Sequence, residues 1–459
     1  MEGLLNELKL SAECIKMNPK SYSAWFQRSW VLKRQSNPDL EGELKLCQKA
    51  LQMDCRFSQK LVSDNFSNFS AWHTRMHLLP REKDVITGEN VLRSDIVFKE
   101  IERVASAIFT DPEDESAWMF VRWIIRLYSS ASCLNEKSAC PNVPLVISSS
   151  QNSLTLSMCR SASVEVVSSF FKKIPLSAVW TSVSEDPSEV SDIWKCHWEL
   201  GESIEGSLDG LHFCSLEDNC PLINRNILGR IYFGCPSLVI DSIRDHCQNL
   251  LEEDPKNASA LLTLTECLRS TSPISSHNVI MSNMEVLASD VDPLRANMYK
   301  SFMSTEVIRS AMACEERTGE GLTRFESLFK GEGRLSLTYL AITTLSHLRH
   351  LAPLITDFDL RGNAIKDTTQ LAILCNLSHL ALDENPFEQL SPALCSLSNL
   401  EFLSIGSCRS VKSTSAILPA LATLPSLSRF LYCETSLVDE TESLRAAMGT
   451  NVKLIPHYL

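Results

Sequence analysis

The sequence has no Cys-x-x-Cys pair, no long apolar run and no excess of positive charge, and each absence excludes a class of protein. Its 17 cysteines are scattered, which predicts reduced cytosolic thiols and neither a disulfide framework nor a zinc ribbon. The most apolar stretch, residues 337–355, is interrupted by His347, Arg349 and His350, so no membrane-spanning helix is expected. The net charge of −13 argues against a role on nucleic-acid phosphates.

Length and composition predict a multidomain globular protein. The 459 residues exceed what one ordinary core accommodates, and a prior of about 150 residues per domain suggests roughly three domains. The composition, 44% hydrophobic and 22% charged, is typical of globular chains. The first residues, MEGLLNELKLSAECIK, predict an amphipathic helix and not a signal peptide.

A Ser-Ala-Trp motif followed by Arg occurs three times. It lies in SYSAWFQRSW at 21–30, in SNFSAWHTR at 67–75 and in ESAWMFVRW at 115–123, each after a polar or Pro-containing lead-in. Recurrence of this kind indicates a repeat architecture. The repeated side chains are Trp25, Trp72, Trp118, Arg28, Arg75 and Arg122.

Helical periodicity precedes each motif. Residues 4–17, 40–53 and 91–109 carry apolar residues at helical spacing, and each segment leads through a turn to an aromatic-rich second helix. The pattern predicts a mainly α, helical-hairpin solenoid of the TPR-like kind. We expect the tryptophans to fill the space within each hairpin and the arginines to satisfy carbonyls or carboxylates, which are structural roles.

The spacing of the hairpins is irregular. Asp54-Cys55-Arg56-Phe57 lies 36 residues after Asn18 and resembles the turn that opens a new hairpin, yet Asp64-Asn65-Phe66 resembles another such turn only ten residues later. A hairpin repeat needs ~34 residues, so the spacing predicts that roughly 25 residues are absent between Phe57 and Ser58.

NPKSYSAWFQRSWVL, NFSNFSAWHTRMHLLP and DPEDESAWMFVRWII resemble the repeats of protein prenyltransferase alpha subunits. Two further segments narrow the resemblance to alpha subunits of Rab geranylgeranyltransferase. The first, 131–232, breaks helical periodicity and contains β-like runs such as SLTLSMC and IWKCHWEL. It predicts an inserted β-sandwich, which the resemblance makes immunoglobulin-like; a disordered insertion is the alternative. Helical repeats are expected before it, at 1–130, and after it, at 233–332.

The second segment, 333–459, predicts leucine-rich repeats. The pattern from Ile355 through Asn363 returns 22 residues later from Leu377 through Asn385, within the 20 to 29 residues of that repeat class. Asn at this position hydrogen-bonds the turning backbone. A third copy carries Cys408 in the Asn place, and a degenerate fourth contains Leu427, Phe430 and Tyr432.

The resemblance implies a division of labour in prenyl transfer, which joins a cysteine thiolate to an isoprenoid diphosphate. It places zinc and the lipid funnel in a separate beta subunit, so no cofactor is expected in this chain, and it gives Lys20 and Tyr22 of the NPKSY turn a role in contacting the diphosphate. The alternative for Lys20 is that of a solvated lysine in a turn, without a role in the reaction. His73 and His77 lack the Glu of an HExxH pair, so a structural role is favoured.

The expected function is that of the alpha subunit of a cytoplasmic heterodimer that transfers geranylgeranyl from its diphosphate to C-terminal cysteines of Rab GTPases. The expected partners are the beta subunit and the Rab escort protein with its Rab substrate, without direct membrane insertion. From the resemblance we expect that the first repeat and part of an internal one are absent from this sequence, so the activity of the shortened form stays open. The alternative is a non-catalytic scaffold of helical and leucine-rich repeats.

Overall fold

The structure is a computed structural model. It describes residues 2–17, 21–35, 39–83, 90–129, 144–150, 153–163, 171–174, 177–182, 190–197, 199, 205–208, 211–214, 222–223, 228, 232–234, 237–314, 322–331, 333–448 and 452–456. These residues form two compact units. The first contains the described residues of 1–83, 90–128 and 241–263, and the second contains those of 129–240 and 264–459.

The first unit is built from helical hairpins. Its elements are α1 (Glu2–Met17), α2 (Tyr22–Leu32), α3 (Leu40–Asp64), α4 (Phe69–Leu78), the strands β1 (Arg81–Lys83) and β2 (Asn90–Leu92), α5 (Ser94–Thr110), α6 (Glu115–Tyr128) and most of α7 (Leu238–Glu253). Helices α1 and α2, α3 and α4, and α5 and α6 pack as consecutive pairs. The mainly helical architecture expected from the repeats is therefore present.

Helix α3 corrects one prediction from the sequence. No turn opens at Asp54-Cys55-Arg56-Phe57, because a single helix runs from Leu40 to Asp64. The physical reason is local: residues 43–64 contain neither Pro nor Gly, so nothing interrupts the backbone hydrogen bonds. The third predicted helix starts later than expected, at Ser94, because residues 90–92 pair with 81–83 as an antiparallel hairpin.

The second unit combines helices with three sheets. Its helical elements are α8 (Ala258–Thr271, beginning in the first unit), α9 (His277–Val286), α10 (Ala296–Ala313), α11 (Arg324–Phe329), α12 (Leu418–Leu421) and α13 (Thr441–Met448). Strands β3 (Pro144–Ser150), β4 (Ser153–Ser163), β6 (Val179–Ser182), β7 (Val190–His197) and β10 (Leu222–Ile223) form an antiparallel sheet in the order β10-β3-β4-β7-β6. Strands β5 (Phe171–Lys173), β8 (Glu205–Leu208) and β9 (Leu211–Cys214) form a smaller one.

A parallel ladder of six short strands occupies the C-terminal part of this unit. They are β11 (Arg334–Ser336), β12 (Asp357–Asp359), β13 (His379–Ala381), β14 (Phe402–Ser404), β15 (Arg429–Leu431) and β16 (Lys453–Ile455). Each strand pairs with the next in one continuous register. Its central residues, such as Phe358, Leu380 and Leu403, are fully buried, so the interior is one apolar column between the strands and the returning 3₁₀ turns.

Side chains from the antiparallel sheet contact this ladder. Ser157 on β4 donates to the carbonyl of His350 at 2.8 Å, and Thr155 donates to Asn376 Oδ1 at 3.0 Å. On β7 the ammonium of Lys195, which is only 7% exposed, lies 2.6 Å from the carbonyl oxygen of Cys375. The acceptors lie on two successive returning turns of the ladder, with His350 on one turn and Cys375 and Asn376 on the next.

Candidate functional site

The Ser-Ala-Trp repeats begin at capped helices. Ser21, Asn68 and Asp114 each accept a hydrogen bond from a backbone N–H in the first turn of the helix that follows, at 3.4, 3.0 and 3.0 Å. Asn257 does the same for Ala260 at 2.9 Å. Such side chains satisfy N–H groups that have no partner inside the helix. Each cap lies four residues before Trp25, Trp72, Trp118 or Leu261, a signal in the sequence that the repeat analysis missed.

The tryptophans are held from two sides. Trp72 and Trp118 are at most 1% exposed, and each indole N–H donates to a carbonyl six residues earlier, Phe66 at 2.7 Å and Pro112 at 2.9 Å. The indole ring fills the hairpin while its polar edge fixes the preceding turn. Trp25 is half-buried and packs against a small cluster that includes Ile15.

Two of the repeat arginines bind acceptors on neighbouring helices. Arg28 on α2 forms a bidentate pair with Glu43 on α3 at 2.6 and 2.5 Å, and it donates to the carbonyl of Leu8 on α1 at 2.6 Å. It therefore joins three helices. Ser11 Oγ, at 3.1 Å, is a further acceptor of the same guanidinium.

Arg75 on α4 repeats this arrangement at greater depth. It forms a bidentate pair with Glu100 on α5 at 2.5 and 2.6 Å, and it lies 3.3 Å from the carbonyl of Cys55 on α3. Both side chains of the pair are 3% exposed. Burial alone would raise the pKa of Glu100, but the hydrogen bonds and charges of Arg75 and Arg103 hold it below its usual value of 4.5. The third arginine, Arg122, is half-buried on α6.

Successive repeat turns contact each other. Ser116 Oγ, at the start of α6, donates to the carbonyl of Ser67 at 3.4 Å. Asn257 Nδ2 donates to Glu113 Oε1 at 3.1 Å. The turns before α4, α6 and α8 therefore line up in one row along the first unit.

The predicted diphosphate contacts belong to the turn before α2. Tyr22 is the first residue of α2, directly after the capping residue Ser21. The side chain of Tyr22 and the whole of Lys20 lie outside the described residues. The contacts inferred for them stay predictions, and the structure contributes the way in which the following helix is anchored.

The asparagines of the C-terminal pattern bind the turns of the ladder. Asn363 accepts from the N–H groups of Leu340 and Ile342 at 3.1 Å and donates to the carbonyl of Leu337 at 2.7 Å. Asn385 accepts from Ile365 at 3.1 Å and donates to Leu360 at 3.0 Å.

Cys408 takes the Asn position in the next copy, and its thiol lies 3.3 Å from the carbonyl of Leu382. Burial raises the pKa of this thiol to about 12, so it stays protonated and can act as a weak donor. Where Asn provides both a donor and an acceptor, this copy keeps only the donor.

The histidine pair on α4 forms ring contacts. The rings of His73 and His77 lie 4.9 Å apart edge to face, and His73 also stacks on Phe69. Within the described part of the chain, no group of three His, Cys, Asp or Glu side chains is placed to hold a metal ion. No described helix is long and apolar enough to cross a membrane.

Comparison with known proteins agrees with the repeat pattern. The family model for the protein prenyltransferase alpha subunit repeat matches residues 4–35 and 97–128, which cover most of the α1–α2 and α5–α6 hairpins. The geranylgeranyl transferase type-2 subunit alpha of Sus scrofa is 27% identical over 92% of this chain and 78% of its own length. The protein of that name from Mus musculus is 26% identical over 96% and 82%. The one from Dictyostelium discoideum is 34% identical over 27% and 47%.

These matches confirm the resemblance inferred from the sequence. The chain carries protein prenyltransferase alpha subunit repeats and resembles geranylgeranyl transferase type-2 alpha subunits over most of its length.

Proposed function

We propose that this chain is the alpha subunit of a heterodimeric protein geranylgeranyltransferase, which transfers geranylgeranyl from its diphosphate to C-terminal cysteines of Rab GTPases. The observation that carries the proposal is the similarity over 92% of the chain to a protein named geranylgeranyl transferase type-2 subunit alpha. Two of the three Trp-Arg hairpins, those with Trp25 and Trp118, support it, because the family model matches them. Both findings favour a transferase subunit over a non-catalytic scaffold.

The proposal gives the two subunits different chemistry. Zinc, which would hold the substrate thiolate, and the lipid funnel belong to the beta subunit. This chain would supply Lys20 and Tyr22 toward the diphosphate, where an ammonium neutralises charge that develops on the leaving phosphate and a hydroxyl donates a hydrogen bond. The Rab substrate would arrive with its escort protein.

The anchoring of α2 suits such a contribution. Ser21 caps the helix beside the NPKSY turn, and Arg28 ties the same helix to α1 and α3 two turns later. A transition-state contact must be held in place before the reaction, since a side chain ordered only on demand loses much of its effect. Cap and guanidinium together fix the direction in which α2 begins.

The domain boundaries belong to the same proposal. Helical repeats would occupy 1–130 and 233–332, an immunoglobulin-like β domain 131–232 and leucine-rich repeats 333–459. The antiparallel sheets and the parallel ladder with its asparagine turns support the two latter assignments. Because Lys195 and Thr155 of the insert bind the ladder, these two domains would act as neighbours in one body.

Transfer assays on the purified chain and on its complex test the proposal. The isolated chain is expected to show no transfer with zinc and geranylgeranyl diphosphate, whereas the complex with a beta subunit should prenylate an escort-bound Rab protein. Transfer by the isolated chain would refute the assignment of a subunit. A stable complex that cannot prenylate any Rab protein would favour the scaffold.

Lys20→Ala separates a chemical role from a structural one. It should lower the single-turnover rate by on the order of 10²-fold while the heterodimer stays intact, because it removes a cation that acts in the transition state. Tyr22→Phe should cost less, since it removes only a neutral hydroxyl. The matched control is Lys256→Ala, because DPKN at 254–257 places Lys256 one residue before the cap Asn257 just as Lys20 precedes Ser21. An unchanged rate for Lys20→Ala would mean that the NPKSY turn has only a structural role in the repeat.

A further inference from the structure

The strand face of the ladder has an uneven charge distribution. Its first side-chain row runs across the strands as Arg334, Asp357, His379, Phe402, Arg429 and Lys453, which are register partners. Neighbouring strands lie about 4.8 Å apart, so these side chains line up at that spacing. This one row therefore shows how charge is distributed across all six strands.

Charges at the N-terminal end of this face are neutralised within the chain. Arg334 pairs with Asp357 at 3.2 Å, and Arg361, which follows β12, pairs with Asp359 at 2.7 Å. A ligand gains little from these arginines, because each already has a carboxylate partner.

The C-terminal end of the face differs. Arg429 and Lys453 are exposed, and among the described residues neither has a carboxylate within ion-pair distance. Arg429 contacts an imidazole nitrogen instead: its Nη2 lies 3.1 Å from His379 Nε2. Arg429 and Lys453 are register partners on neighbouring strands, so two cations lie side by side at this end of the row.

The arginine is also held in place. Its guanidinium carbon lies 5.1 Å from the ring centroid of Phe402, and the ring of His379 lies 6.0 Å from the same ring. His379 Nδ1 is 3.0 Å from Ser378 Oγ, which itself donates to the carbonyl of Thr356. In this chain of bonds Nδ1 carries the proton and Nε2 accepts from the arginine. The cation is thus oriented over an aromatic ring before any ligand arrives.

We infer that the row His379, Phe402, Arg429 and Lys453 is a docking surface for an acidic, extended segment of a partner protein. Carboxylates of the segment would pair with Arg429 and Lys453, and an apolar side chain would lie on Phe402 beside the short side chain of Ala381. Charge complementarity selects this occupant, because Arg429 and Lys453 are the cations of this row that have no carboxylate partner among the described residues, and a guanidinium binds a carboxylate through two parallel hydrogen bonds. The inference is independent of the proposed transferase function.

Peptide binding to the full chain tests this surface. The probes are fluorescent, blocked decapeptides of alternating Glu and Leu, of Gln and Leu, and of Lys and Leu, followed by fluorescence anisotropy at low ionic strength. We expect the Glu peptide to bind at least about tenfold more tightly than the other two and to weaken as salt is added. Equal affinity of the Glu and Gln peptides would overturn the inference.

Matched charge reversals locate the binding. Arg429→Glu and Lys453→Glu should each weaken the Glu peptide about tenfold, and Phe402→Ser should weaken it as well. Arg334→Glu is the control, because it changes the net charge equally on the same side-chain row but removes a cation that already has a partner. If Arg334→Glu weakens binding as much as Arg429→Glu, the effect is one of net charge and the proposed surface is wrong. Unchanged circular dichroism of each variant establishes that the ladder remains folded.

Discussion

The buried pair of Arg75 and Glu100 makes the strongest energetic prediction of the fold. Both side chains are 3% exposed, and two charge-assisted hydrogen bonds of 2.5 and 2.6 Å join α4 to α5. The change Glu100→Gln keeps the shape of the side chain but removes the charge that compensates a buried guanidinium. It also places an amide N–H group opposite an N–H group of Arg75, so that two donors face each other. Loss of one partner of a buried pair typically costs about 3–5 kcal/mol.

The matched control is the exposed pair of Glu41 and Lys45 on α3. Its N–O distance is similar, 2.7 Å, but the side chains are 79% and 67% exposed. Glu41→Gln should therefore cost at most about 0.5 kcal/mol. Urea unfolding followed by circular dichroism, with hydrogen exchange of α4 and α5, measures both variants. Equal losses for Glu100→Gln and Glu41→Gln would refute the reasoning.

The same pair predicts a dependence on pH. The pKa of Glu100 is lowered in the folded chain, so its contribution to stability is fully present above the unfolded value of about 4.5 and is lost as the pH falls through the folded value. The stability difference between the parent chain and Glu100→Gln should shrink below about pH 4.5. The double variant Arg75→Met, Glu100→Leu should recover most of the loss, because it removes the buried guanidinium together with its carboxylate and leaves only the more exposed Arg103 without this partner.

Three further changes probe other contacts. Lys195→Met should destabilise the second unit by about 1–3 kcal/mol and loosen the insert in hydrogen exchange, since the buried carbonyl of Cys375 loses its donor; faster exchange spread over the whole chain would contradict this local role. Asn385→Ala should lower the free energy of unfolding in urea by more, about 2–4 kcal/mol, because it leaves the N–H of Ile365 and two carbonyls inside the ladder without their hydrogen-bond partner. Phe57→Pro should cost about 3 kcal/mol or more of helix stability because it breaks α3, whereas Phe57→Ala should be nearly neutral at this 53% exposed position; a tolerated proline would restore the predicted turn.

Local patterns predicted local structure well. Recurrence of Ser-Ala-Trp located three second helices, and the caps before them follow from ordinary N-cap chemistry. The ladder's first and last strands, β11 and β16, were missed. RLSL at 334–337 does carry the alternating leucines of a strand, but no Asn follows at the diagnostic position.

Long-range contacts could not be predicted in the same way. Lys195 meets Cys375 across 180 residues of sequence, and nothing in the local composition of either segment indicates the other. The partners of the repeat arginines were equally hidden, because Glu43 lies 15 residues after Arg28 whereas Glu100 lies 25 after Arg75. A β hairpin accounts for most of the extra length in the second case.

Helix α3 contacts arginines of two different hairpins. Both arginines reach a carbonyl 20 residues upstream, Leu8 for Arg28 and Cys55 for Arg75. By this spacing, Cys55 occupies a position in the first helix of the hairpin that contains Arg75. Glu43, at the other end of the same helix, occupies a position in the first helix of the repeat that follows the hairpin of Arg28. The two positions are about 18 Å apart along the axis at 1.5 Å per residue. One helix of 25 residues therefore serves as the first helix of two consecutive repeats joined end to end. If roughly 25 residues are absent, as the sequence predicts, they would comprise the second helix of one hairpin and its turns, and the Arg28 and Arg75 contacts would not depend on them.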